Sequence, residues 1–127
     1  FGGSGQTVGP AINAIHADPA HRWTLQALAE CACMSRSAFA QKFRETIGAS
    51  PMEYVTRWRM MLAGEKLENS QDPVSVISLS LGYESESAFS TAFKRVMGVS
   101  PRQYSRGATP ASYSHAVGLN GAGVNPA

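Results

Sequence analysis

The chain has 127 residues, 43% of them hydrophobic, which is enough apolar surface to build a core and excludes disorder throughout. No stretch reaches the roughly 18 unbroken apolar residues of a membrane span, and no basic-then-apolar signal peptide is present, so a soluble cytoplasmic protein is expected. A net charge of +2 is too small to announce a nucleic-acid partner by itself, which leaves that argument to where the charges stand.

All twenty charged residues fall between Asp18 and Arg106. Residues 1–10 and 107–127 are uncharged and rich in Gly, Ser, Ala and Pro, a composition that buries too little surface to offset its chain entropy. They read as flexible tails around a domain over residues 11–106. Within it, Thr24 suits the cap of a helix over about residues 25–32, with Trp23 and Leu28 at the two positions of a hydrophobic staple. Leu25, Leu28, Ala29 and Ala32 form its apolar face. After a short turn Ser35 caps a second helix, in which Phe39 and Phe43 stand one turn apart and Gly48 is the natural end. Ala38, Phe39 and Phe43 read as turned inward or toward the groove wall. Ser50-Pro51-Met52-Glu53 is a capping box that opens a long helix to about Glu68, on which Met60, Met61 and Leu62 read as packing residues.

The pattern then recurs. Residues 35–54 superpose on residues 85–104 at an offset of 50 with 9 of 20 positions identical, and the upstream match continues at an offset of 49. The second copy therefore carries one extra residue in its turn. Asp72 reads as its cap with Pro73 in the first helical position, Gly82 lies in the turn, Ser85 caps the next helix, Phe89 and Phe93 face inward, and Gly98 ends it. Ser100-Pro101-Arg102-Gln103 opens a last helix. Two short helices meeting through a tight turn, twice over, make an all-α fold of two helix-turn-helix units at about residues 24–48 and 73–98, joined by a linker helix at about 51–68. A linker of some 18 residues is about 27 Å long, a size that suits the roughly 34 Å between successive major-groove faces.

Enzymatic chemistry finds no support. Cys31 and Cys33 lack partners spaced for a zinc site, His16, His21 and His115 are scattered, and no nucleophile triad or phosphate loop can be assembled.

The strings WTLQALAECACMSRSAFAQKFRETIGASPMEYV, WRMMLA and LGYESESAFSTAFKRVMGVSPRQY resemble the AraC/XylS family of transcription regulators across roughly residues 11–106. The resemblance implies about seven helices, the third and sixth lying in consecutive major grooves of double-stranded DNA; no cofactor and no metal is expected, since no ligand cluster is spaced for one. It also implies RNA polymerase as a partner and an N-terminal sensing or dimerisation domain, missing from these residues. Family members often have Arg where this chain has Gln41 and Thr91. Cys33 occupies a turn position where Gly is common, and a left-handed backbone there would cost on the order of 1 kcal/mol.

With the aromatic residues inward, Arg36, Ser37, Ala40 and Gln41 are left to read bases from the first recognition helix, and Glu86, Ser87, Ser90 and Thr91 from the second. Gln can pair bidentately with adenine and Arg with guanine, and small residues can accept a thymine methyl. Lys42, Arg44, Arg57, Lys94, Arg95 and Arg102 are the expected phosphate contacts. Arg59 reads instead as a packing or salt-bridge residue, and Trp23, Trp58, Tyr54 and Tyr104 as core or staple aromatics. Glu86, the only acid among the eight base-facing candidates, should repel phosphates and make the second unit the weaker clamp. A helical protein-docking module is the competing reading, because helix-turn-helix folds can serve protein partners.

Overall fold

A computed structural model describes residues 7–107, and among these it contains seven helices and no strand. In chain order they are α1 (Gly9–Ala17), α2 (Leu25–Cys31), α3 (Arg36–Ile47), α4 (Pro51–Asn69), α5 (Val74–Ser80), α6 (Glu86–Met97) and α7 (Pro101–Ser105). The chain divides into two compact units, meeting in sequence between Arg59 and Met60 inside α4. Each has its own core.

In the first unit, Ala11 and Ile15 of α1, Leu28 and Ala29 of α2, Phe39 and Phe43 of α3 and Val55 of α4 are buried together. Trp23, Tyr54 and Trp58 pack against that cluster, as core aromatics should. The rings of Phe39 and Phe43 lie 5.5 Å apart, and Phe43 meets Tyr54 edge-on at 5.6 Å, a geometry the ring quadrupoles favour. Tyr54 shares a 2.7 Å hydrogen bond with His16 Nε2, whose ring stacks on Trp58 at 4.0 Å. Burial raises the Tyr54 phenol above its ordinary range, so this bond involves a neutral hydroxyl at neutral pH. Arg59 is a packing residue: its Nε donates to the Pro19 carbonyl and Nη2 to that of His21, both at 2.8 Å. Trp23 Nε1 donates to the Asp18 carbonyl, so both side chains fasten the loop between α1 and α2.

The second unit repeats the plan. Met60, Ala63 and Leu67 of α4 are buried with Ile77 of α5, Leu81 beyond its end, and Phe89, Phe93 and Met97 of α6. Phe89 and Phe93 lie 5.7 Å apart, and Phe93 meets Tyr104 edge-on at 5.6 Å. The Tyr104 ring rests closely on Gly64: a Cβ at that position would stand 3.1 Å from the phenolic oxygen, a tight contact. A glycine inside a helix costs about 1 kcal/mol relative to alanine, so its presence in α4 is explained by the ring resting on it.

The turns show how the duplication copes with one odd residue. After α2, Met34 N–H donates to Ala29 O and Cys33 N–H to Glu30 O; after α5, Tyr83 N–H donates to Ser78 O and Gly82 N–H to Leu79 O. These are paired Schellman closures, and each requires a left-handed residue, Cys33 at φ 58° and Gly82 at φ 91°. The extra residue of the second copy follows this closure, ahead of the Ser85 cap.

Three expectations are corrected. Helix α1 starts at Gly9, inside the segment read as a flexible tail, because Val8 is buried and anchors it. The rest of the expected tails, apart from Thr7 and Gly107, lies outside the described residues. Pro73, not Asp72, is the cap of α5: Pro73 is extended, and its carbonyl accepts from both Val76 and Ile77. A proline before the first turn leaves Asp72 one residue too early to cap. Met61, read as packing, is 49% exposed, since it falls between the inward positions Met60 and Ala63.

Cys33→Gly should therefore raise stability by about 1 kcal/mol by relieving the left-handed residue, and Gly82→Ala should lower it by about 1–2 kcal/mol. Urea unfolding of the full chain measures both.

Candidate nucleic-acid interface

Both recognition-helix candidates are opened by a serine. Ser35 Oγ accepts from Ala38 N–H at 3.2 Å, and Ser85 Oγ accepts from Ala88 N–H at 3.1 Å. The caps fix the first turns, where Arg36 and Ser37 stand on α3 and Glu86 and Ser87 on α6.

Rotation about each axis is set by the buried rings. With Phe39 and Phe43 fully buried, the helical advance of 3.6 residues per turn puts Ser37, Gln41, Arg44 and Glu45 along the opposite side of α3, where all are exposed. Arg36 and Lys42 are exposed beside them, and Ala40 is half-buried at the edge. Ala38, read as turned inward or toward the groove wall, is exposed and so does not face inward. An apolar alanine carries little information about its side, and a position next to Phe39 is rotated by about 100° from it. In α6, Ser87, Thr91, Lys94 and Arg95 take the corresponding exposed positions, with Ser90 half-buried. Ser90, Thr91, Lys94 and Arg95 line, with Ser100, an open depression of about 450 Å³. The structure thus brings two expected base readers together with two expected phosphate contacts.

Several candidates have partners on the protein. Gln41 Nε2 donates to Glu45 Oε2 at 3.1 Å. Arg57, on α4, donates to Glu53 Oε2 at 3.1 Å. Arg102 Nη2 lies 3.8 Å from Glu86 Oε2, joining the first turns of α7 and α6. The first two pairs follow the i, i+4 spacing and are readable from the sequence. The third is not, because 16 residues separate its members and no local periodicity links them. Among the described residues, no three His, Cys, Asp or Glu side chains are grouped to hold a metal ion.

Comparison with known proteins places the chain. A family described as a helix-turn-helix domain matches residues 28–107. A protein of Streptomyces antibioticus described as an AraC-like transcription regulator is 46% identical over 103 residues, covering 81% of this chain and 34% of that protein. The chain thus spans about a third of the length of such curated relatives. Among solved structures, the DNA-binding domain of AdpA, a global transcriptional factor in complex with a target DNA, is similar with a TM-score of 0.75 and 26% identity, over 80% of this chain and 91% of that one. The C-terminal domain of AraT, a response regulator from Geobacillus stearothermophilus, is similar with a TM-score of 0.75 and 33% identity, over 80% and 85%.

Loss of either serine cap should loosen the first turn that carries the outward residues. Ser35→Ala and Ser85→Ala should each cost about 1 kcal/mol of stability. Arg57→Ala, which removes a pair whose cation is 62% exposed, should change it by less than about 0.5 kcal/mol in the same urea titration.

Proposed function

The chain belongs to the AraC/XylS family, whose helix-turn-helix DNA-binding domain it carries, and on that premise we propose that it binds double-stranded DNA sequence-specifically through the outer faces of α3 and α6, each in a major groove. In this reading it is the DNA-binding part of a bacterial transcription regulator, and it does no chemistry of its own. The observation that carries the proposal is the pair of solvent-facing helix sides, Ser37–Gln41–Arg44 and Ser87–Thr91–Lys94, each held outward by a buried pair of phenylalanines and a serine cap. The likeness to the AdpA domain solved with its target DNA supports it.

Base contacts are assigned to Arg36, Ser37, Ala40 and Gln41 on α3 and to Ser87, Ser90 and Thr91 on α6, with Glu86 at the first turn of α6 as the remaining candidate. Lys42, Arg44, Arg57, Lys94, Arg95 and Arg102 are assigned to phosphates. Gln41 must exchange its bond to Glu45 for a base edge, which makes its contribution a difference between two hydrogen bonds. The resemblance extends the proposal to a whole regulator that works in the cytoplasm, has a sensing or dimerisation domain and acts on RNA polymerase. No helix among the described residues is long and apolar enough to cross a membrane.

Selection of binding sites from random duplexes, followed by titration at several salt concentrations, tests the reading. The selected site should be asymmetric, because α3 and α6 differ at every base-reading candidate except Ser37 and Ser87. Affinity should fall steeply with salt as phosphate counterions are released. A protein-docking module would bind no duplex and respond little to salt. Gln41→Ala should relax preference at one or two base pairs by up to about 1–3 kcal/mol, whereas Arg44→Ala should weaken all sequences alike and reduce the salt slope by about 1. Equal weakening of every sequence by Gln41→Ala would show that α3 is turned differently in the groove.

A further inference from the structure

The two copies exchange one charge. In the first copy Arg36 opens the recognition helix and Met52 occupies the second position of the helix that follows; in the second copy the same two places hold Glu86 and Arg102. The cation has moved from the recognition helix to its neighbour, and an acid has taken its place. Read from the sequence alone, Glu86 is a repulsive group facing phosphates. The structure puts it in a different relation: its carboxylate lies 3.8 Å from the Arg102 guanidinium, with the Glu86 side chain 41% exposed and that of Arg102 77% exposed. The carboxylate is the more covered member, and the positive group is the one presented to solvent.

Both ends of this pair are fixed in place. Glu86 is in the first turn of α6, where the Ser85 cap sets the backbone and the helix macrodipole favours a carboxylate. Arg102 is in the first turn of α7, which a reciprocal capping box closes: Ser100 Oγ accepts from Gln103 N–H at 3.2 Å, and Gln103 Oε1 accepts from Ser100 N–H at 3.0 Å. Pro101 beside it is buried. The backbone on either side is therefore set before the side chains meet, and the ion pair has only the two side chains left to order.

We propose that Glu86 is a positioning residue that holds Arg102 over the first turn of α6, so that α7 brings to the start of α6 a cation for a DNA phosphate, at the place where the first unit has the base reader Arg36. The role rests on the DNA-binding reading above and deepens it. It also revises the charge balance expected from the sequence: the second unit is not short of a cation at its helix start, because α7 delivers one.

The test is a cycle of Glu86→Gln and Arg102→Met in the full chain, titrated against the selected duplex and a random duplex over a range of salt. Arg102→Met should weaken both duplexes about fivefold and reduce the salt slope by about 1. Glu86→Gln alone should weaken both about two- to threefold, since Arg102 loses its guide. In the Arg102→Met background the sign should reverse: with no partner to hold, the carboxylate only repels phosphates, and Glu86→Gln should strengthen binding about twofold. A purely structural role would not change sign between backgrounds. Glu86→Arg combined with Arg102→Met, which recreates the arrangement of the first copy, should restore most of the lost affinity and salt slope. Tighter binding on Glu86→Gln in the otherwise unaltered chain, or an unchanged salt slope on Arg102→Met, would overturn the proposal. Absence of salt-dependent duplex binding by the unaltered chain would remove the DNA-binding reading and this role with it.

Discussion

Everything presented to solvent on α3 and α6 depends on a short aromatic ladder, Phe39–Phe43–Tyr54 in one unit and Phe89–Phe93–Tyr104 in the other. Burying one large apolar side chain contributes about 1.5–3 kcal/mol, so two phenylalanines one turn apart fix the rotation of a three-turn helix far more strongly than any surface contact could. Once that rotation is fixed, the residues two and five places from each phenylalanine have no choice of side. The tyrosine at the end of each ladder ties the recognition helix to the helix that follows it. Tyr54 shares a hydrogen bond with His16, and Tyr104 rests on Gly64.

The duplication makes the constraint visible, because the two copies have kept the ladder and changed what it displays. Phe39 and Phe89, Phe43 and Phe93, and Tyr54 and Tyr104 correspond at an offset of 50, as do the capping serines and the terminal glycines. Outside these positions most solvent-facing places differ between the copies, Ser37 and Ser87 and Ala38 and Ala88 being the exposed pairs kept on the recognition helices. Gln26 Nε2 donates to Glu30 Oε2 on α2, whereas the matching face of α5 carries no charge and exposes Val76 and Leu79. Close packing penalises changes of volume inside, and nothing of comparable size restrains a side chain that faces water.

Divergence of the outer faces is where a DNA reader would acquire two different preferences on one scaffold. The first face combines an arginine, a glutamine and further cations; the second combines short hydroxyl side chains with Lys94 and Arg95. The Schellman turns show the same economy of constraint: the closure survives a change from Gly82 to Cys33 at its left-handed residue, and the extra residue of the second copy is absorbed after it.

The sequence by itself determined the elements, the repeat, the inward aromatics and most of the outward residues, because helical periodicity, serine caps and terminal glycines act over three or four residues and leave a local trace. It misjudged positions where the local trace was ambiguous. Ala38 is apolar but exposed, Met61 falls between the buried Met60 and Ala63, Val8 anchors a helix in a segment whose composition suggests a tail, and Pro73 took the capping place that Asp72 suggested. Only the tertiary structure could decide contacts between residues far apart in the chain. It bound Arg59 to the carbonyls of Pro19 and His21, Tyr54 to His16, and Arg102 to Glu86. Such pairs depend on how helices pack within a unit, a choice made by the sum of buried surface across the core and written at no single position of the sequence.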